Sequence, residues 1–221
     1  MSAFKFPIVL VLMLLLSACS EKSTDDSPID TGTPSDEIRE EVPQTEDSAE
    51  EKIDLKRFFM KDGSVAKYLG DGNEYASYQA RTQWHNDNTV SVYEDNGGTV
   101  VIRTFRITED SIHLIKEQAE YYETYSPTDE ELQSLPIIST ILQTPIEPGT
   151  TFDEWTVVSI DQTLDTPYKT FDDVIVLEKT DESGAVQRKY FVQDFGEIKR
   201  EFIMQDNDTE FSVTSTLESI D

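Results

Sequence analysis

The chain has 221 residues, 45 acidic and 18 basic, for a formal charge of −27 at pH 7. That balance excludes the basic faces that nucleic-acid binding requires, so no nucleic-acid partner is expected. Its one cysteine, Cys19, excludes an internal disulfide and a thiolate metal cluster.

Lys5 and the amino terminus supply positive charge, Ile8 to Leu16 forms an unbroken apolar run, and Ser17-Ala18-Cys19 follows. Such a run falls well short of the roughly twenty residues that cross a hydrocarbon core as a helix, and its length suits a secretory signal. The pattern Leu16-Ser17-Ala18-Cys19 behind this run resembles the signal peptide of a bacterial lipoprotein. The resemblance implies cleavage before Cys19 and a diacylglyceryl anchor on its sulfur, so Cys19 is the one candidate site residue, for lipidation. It also implies attachment to the outer face of the cytoplasmic membrane. The lack of disulfides suits a Gram-positive-type cell surface. Two acyl chains, palmitate for example, hold a protein stably on a membrane, whereas one does so only marginally.

Residues 20–53 hold twelve acidic and three basic residues, with Pro28, Pro34 and Pro43 and no aromatic side chain. Such a segment cannot bury enough apolar surface to offset the entropy of ordering it. Three regions follow: a signal peptide over 1–18, the lipidated cysteine with a disordered acidic linker over 19–55, and a β-rich extracytoplasmic domain over 56–221. A flexible linker of about 34 residues spans roughly 30–35 Å.

Within the domain, short alternating runs between turn residues predict antiparallel sheet. Tyr75 to Trp84, Thr89 to Tyr93 and Thr99 to Ile107 read as strands, the last two joined by a hairpin at Asn96-Gly97. Ser111 to Tyr122 fits helix or strand, and the alternation of Ile112, Leu114 and Lys116 with His113 and Ile115 favours a strand paired with its predecessor. A helix is expected next, with Ser126 as its cap, Pro127 in its first turn, and Leu132 and Leu135 packing inward. Strands are then expected over Ile137 to Gln143, Thr151 to Ile160, Lys169 to Lys179, Ala185 to Gln193, Glu197 to Gln205 and Thr209 to Leu217. About ten strands and one helix in one core predict a mainly β fold: a single strongly curved antiparallel sheet or incomplete barrel with one short helix.

Chemistry is sparse. His85 and His113 are the two histidines, each in an expected strand and without a metal-binding spacing. Asp71-Gly72-Asn73-Glu74 and Asp206-Asn207-Asp208-Thr209-Glu210 cluster oxygen donors, but neither fits a calcium loop and both read as turns. No metal or other cofactor is expected. Tyr75, Tyr78, Trp84, Tyr93, Tyr121, Tyr122, Tyr125, Trp155, Tyr168 and Tyr190 furnish the sheet, and some could line its concave face.

In the second half, Ile146-Glu147-Pro148-Gly149-Thr150, Trp155, Thr166-Pro167-Tyr168-Lys169-Thr170-Phe171, Tyr190-Phe191 and Phe195-Gly196-Glu197-Ile198-Lys199 occur in that order. Over residues 140–205 this resembles the closing half of secreted lipoproteins of Bacillus-like bacteria that carry a domain of unknown function. Lys169 stands where that family has glycine. The resemblance implies a curved surface β-domain and supplies no catalytic residue. The expected role is therefore a non-enzymatic, monomeric cell-surface lipoprotein that binds or scaffolds an envelope protein. The alternative is a carrier of an apolar ligand, lipid or lipoprotein, in a half-barrel. A hydrolase would need converging polar groups that include His85 or His113.

Overall fold

The computed structural model describes residues 53–206 and 209–221. The expected signal peptide, Cys19 and nearly all of the linker lie outside the described residues. The chain enters the core at once. Asp54 caps a 3₁₀ turn, Leu55–Phe58, whose Leu55 and Phe58 are each 2 % exposed.

Twelve strands follow in one antiparallel sheet. They are β1 (Val65–Asp71), β2 (Tyr78–Asn86), β3 (Thr89–Asp95), β4 (Val100–Ile107), β5 (Ser111–Gln118), β6 (Ser139–Gln143), β7 (Thr151–Phe152), β8 (Trp155–Asp165), β9 (Thr170–Thr180), β10 (Val186–Val192), β11 (Gly196–Asp206) and β12 (Thr209–Ile220). Their spatial order is β6-β5-β4-β3-β2-β1-β12-β11-β10-β9-β8-β7. Two meanders of six strands are thus joined at the centre by β1 and β12, which pair from Ala66 opposite Ile220 to Asp71 opposite Thr214. The outer edges, β6 and β7, approach one another: the Thr140 N–H donates to Asp153 Oδ2 at 2.6 Å. The sheet therefore curls into a nearly closed barrel, which hides its edges.

Local chemistry explains most turns. Between β3 and β4, Asp95 Oδ1 accepts from Gly97 N–H, and Asn96 Oδ1 accepts from the N–H groups of Gly98 and Thr99. The hairpin lies where expected, but its loop runs from Asn96 to Thr99 and only Gly97 takes a positive φ, of 80°. Between β8 and β9, the Thr166 N–H donates to Lys169 O, and the Lys169 N–H to Thr166 Oγ1. Lys169 is not among the residues at positive φ, so this turn has no need of a glycine there. Gly196 is different, with φ 73° and a Cβ position only 2.7 Å from Phe58 O.

Three expectations are corrected. The helix α1 (Asp129–Ser134) is capped by Thr128, not Ser126, because Glu131 lies three residues on and completes a capping box. It sits between β5 and β6 and is held by buried Leu132 and by Arg106 Nη2, which donates to Leu132 O at 2.6 Å. Leu135 ends the helix half-buried. The run from Thr151 to Ile160 is two strands, broken where Asp153 takes φ 48°. Finally, β1 is an additional strand; its exposed Leu69 and its Gly70 blur the alternation, and hydrogen bonding to β2 and β12 on both sides supplies its order.

Candidate functional site

The two histidines do not meet, since β3 and β4 separate their strands. His85 Nε2 lies 2.8 Å from Ser91 Oγ, which lies 2.8 Å from Thr104 Oγ1. A serine beside a histidine is the geometry of an activated nucleophile. Here Ser91 and Thr104 are both 0 % exposed, so no substrate atom can reach the hydroxyl. Burial lowers the His85 pKa, with Asp62 opposing it. His113 Nδ1 reaches only Thr140 Oγ1, at 3.5 Å. Tyr93, Tyr121 and Tyr125 pack beside this neutral cluster, with Lys116 against the rings of Tyr121 and Tyr125.

Among the described residues, no three side chains of His, Cys, Asp or Glu are grouped to hold a metal ion. Asp71 to Glu74 forms the β1–β2 turn, where Asn73 Oδ1 accepts from the Tyr75 N–H. Asn207 and Asp208, of the second acidic segment, lie outside the described residues. No described helix is long and apolar enough to cross a membrane.

The concave interior is another matter. It holds a cavity of about 460 Å³, within the range of roughly 300–1,000 Å³ typical of small-molecule sites. Strand register grades its lining. On β3, Val90, Val92 and Glu94 alternate on one face; on β4, the same face carries Arg103, Phe105 and Ile107. A bulge in β5 lets Glu117 oppose Arg103 while Leu114 opposes Phe105 and Ile112 opposes Ile107. On β9 and β10, Lys179 opposes Gln187, Leu177 opposes Lys189, and Ile175 opposes Phe191. Each of these strands runs from charged to apolar in the same spatial sense. The barrel interior thus has a charged end and an apolar end, the latter filled against Leu55 and Phe58.

The charged end is cross-braced. Arg200 of β11 spans the concavity to Glu94 of β3, with Nη1 and Nη2 donating to Oε2 and Oε1 at 2.9 and 2.7 Å. Its Nε donates to Glu197, and its guanidinium lies 4.7 Å from the ring centroid of Tyr78. Tyr78 stacks on Tyr68 at 4.4 Å, and Tyr68 Oη donates to the Glu197 carbonyl at 2.8 Å. Arg103 pairs with both Glu94 and Glu117 at 2.8 Å. Burial alone would raise the Glu94 pKa, but Arg200 and Arg103 outweigh it and hold the carboxyl at about 2. Burial raises the pKa of the Tyr68 and Tyr78 phenols, which stay neutral.

Beside this network stands Trp155, with the ammonium groups of Lys179 and Lys189 at 5.1 and 5.3 Å from its ring centroid. Of the aromatic residues singled out from sequence, Tyr78 and Trp155 line the cavity, whereas Tyr75 and Tyr122 are exposed. Glu94, Arg103, Arg200, Lys179, Lys189 and Tyr68 were missed. For Glu94 the signal was legible: it follows Val90 and Val92 at alternate positions, so a charge stands on an apolar face. A larger cleft of about 1100 Å³, between Ile53–Lys56 and α1, is lined by the ends of β2, β3 and β4, their turns and α1, and Arg106 there is committed to helix carbonyls.

No protein-family model matches the sequence, and no curated protein matches it. Two solved structures align with the fold. A protein classed as exported, with a YmcC-like fold, from Bacteroides fragilis gives TM-score 0.46 at 11% identity, covering 74% of this chain and 98% of that one. A protein classed as a lipoprotein, from Parabacteroides distasonis, gives 0.44 at 12% identity with the same coverage. Neither comes from the Bacillus-like bacteria of the sequence resemblance.

Proposed function

We propose that the protein is a monomeric, non-enzymatic lipoprotein, anchored through Cys19 on the outer face of the cytoplasmic membrane, whose barrel binds one small amphipathic ligand. The observation that carries this reading is the graded interior: one cavity of about 460 Å³ with ion pairs at one end and buried phenylalanine, leucine and isoleucine at the other. The apolar run ending in Leu16-Ser17-Ala18-Cys19 supports the anchor. A closed core without space would favour a purely structural domain, and a catalytic cleft would need an accessible nucleophile or base.

The secreted Cys19→Ala chain tests both parts. It moves from the membrane fraction to the medium, and after purification without detergent it retains or takes up one equivalent of an amphiphile, seen by native mass spectrometry. Retention in the membrane refutes the anchor. Absence of any saturable amphiphile binding refutes the carrier role. A second reading, docking of an envelope protein, rests on exposed Ile137 and Ile138, which precede β6, and exposed Val158 on β8.

A further inference from the structure

We infer that the cavity selects a single-chain amphiphile with an anionic head, carboxylate or phosphate, held by Lys179 and Lys189 beside Trp155, with the chain directed toward Phe105 and Phe191. This inference rests on the binding role proposed above and adds the class of ligand and the residues that choose it.

Charge distribution is the first argument. The chain beyond residue 53 is strongly acidic, yet Arg103, Lys179, Lys189 and Arg200 converge on one cavity and meet only three acids on the same faces: Glu94, Glu117 and Glu197. The other charged lining residues, Arg188 and Glu201, oppose one another on β10 and β11 and offset each other. In a strongly acidic protein the lining of this one interior site thus carries five basic and four acidic side chains, an excess of one positive charge.

The second argument is which cations remain available. Arg200 and Arg103 are each committed to two carboxylates at short range. Lys179 and Lys189 are held loosely. Lys179 Nζ is 3.6 Å from Glu154, whose side chain is 81 % exposed on the β7–β8 turn. Lys189 Nζ is 3.5 Å from Glu197, which already accepts from Arg200. The Lys179 pair has an exposed acid and contributes little, so a ligand anion displaces it at small cost, and Glu197 keeps Arg200 when Lys189 turns to the ligand. A carboxylate or phosphate between the two ammoniums would gain charge-assisted hydrogen bonds in a partly desolvated setting.

Direction comes from the register. Lys189 lies two residues from Phe191, and Lys179 two from Leu177, so each ammonium is followed along its own strand by apolar surface. The face of Trp155 bridges the two environments, since indole presents apolar area and also attracts the flanking cations. A head at the lysines therefore places a hydrocarbon chain against the apolar wall. The cavity's size limits the occupant to one such chain.

The test is calorimetric titration of the secreted Cys19→Ala chain with dodecanoate, dodecyl phosphate, dodecanol and dodecyltrimethylammonium, with tryptophan fluorescence recorded in parallel. One or both anions bind at least about ten-fold tighter than dodecanol, the equivalent of one charge-assisted hydrogen bond; which anion binds better identifies the head. In a Lys179→Met, Lys189→Met chain that advantage disappears while dodecanol affinity is retained. Dodecanol binding as tightly as both anions, a preference for the cation, or an anion advantage that survives both substitutions overturns the inference and leaves the carrier role standing. If none of the four binds, both fail. The comparison of anion with alcohol in the Cys19→Ala chain decides the matter even if the chain with both lysines replaced does not fold.

Discussion

Strands β3 and β4 bury polar groups on both of their faces, and the two faces behave differently. On one, Ser91, Thr104 and His85 form a neutral chain of hydrogen bonds packed without space. On the other, Glu94 and Arg103 join Arg200 in an ionic network beside a cavity. Among the described residues no buried side-chain nitrogen or oxygen lacks a partner, so both faces are satisfied. The lesson is that buried polarity alone does not make a site. A neutral cluster that fills its own volume serves the fold, whereas charges bordering empty space can exchange one partner for another.

The comparison breaks most readily at Arg200. Arg200→Met leaves Glu94 and Glu197 without their shared guanidinium, and removal of one partner from a buried pair costs about 3–5 kcal/mol. Urea unfolding should lose that much; an unchanged midpoint would show that the bridge between β11 and β3 is dispensable.

Acid sharpens the contrast through Glu94. Its pKa is lowered from 4.5 to about 2, so its pairing stabilises the fold fully above pH 4.5 and is lost as pH falls toward 2. With the Glu94 side chain only 16 % exposed, the shift corresponds to about 3 kcal/mol. Stability measured between pH 5 and pH 2 should fall by that order, and a Glu94→Gln chain should lack the same step. The neutral face contributes no comparable acid-labile carboxylate.

The smallest effect belongs to that neutral face. Ser91→Ala deprives His85 Nε2 and Thr104 Oγ1 of a shared partner and should cost about 1–2 kcal/mol in thermal unfolding. Amphiphile affinity should not change. A loss of binding on Ser91→Ala would join the two faces into one site and defeat the distinction.

Legibility followed locality. The β3–β4 turn is specified by Asp95, Asn96 and Gly97 within a few residues, and it lay where expected. The helix lay where expected too, but its cap shifted by two residues because Thr128 and Glu131 form a reciprocal pair that Ser126 cannot. Strand β1 escaped notice since its order comes from two neighbours, one of them β12 at the other end of the chain. The site was half-legible: Glu94 on an apolar face was visible in the alternation, but its partner Arg200 lies 106 residues away.

The sequence by itself determined what depends on near neighbours: the acidity, the apolar run ahead of Cys19, the two-residue alternation and most turns. Only the tertiary structure decided that the sheet curls until β6 and β7 approach, and that charges from β3, β4, β9, β10 and β11 gather at one end of its interior. The reason is register. In antiparallel pairing a slip of one residue turns every side chain to the other face, so the place of Glu94 or Lys179 is settled by the burial of the whole sheet and not by any segment alone.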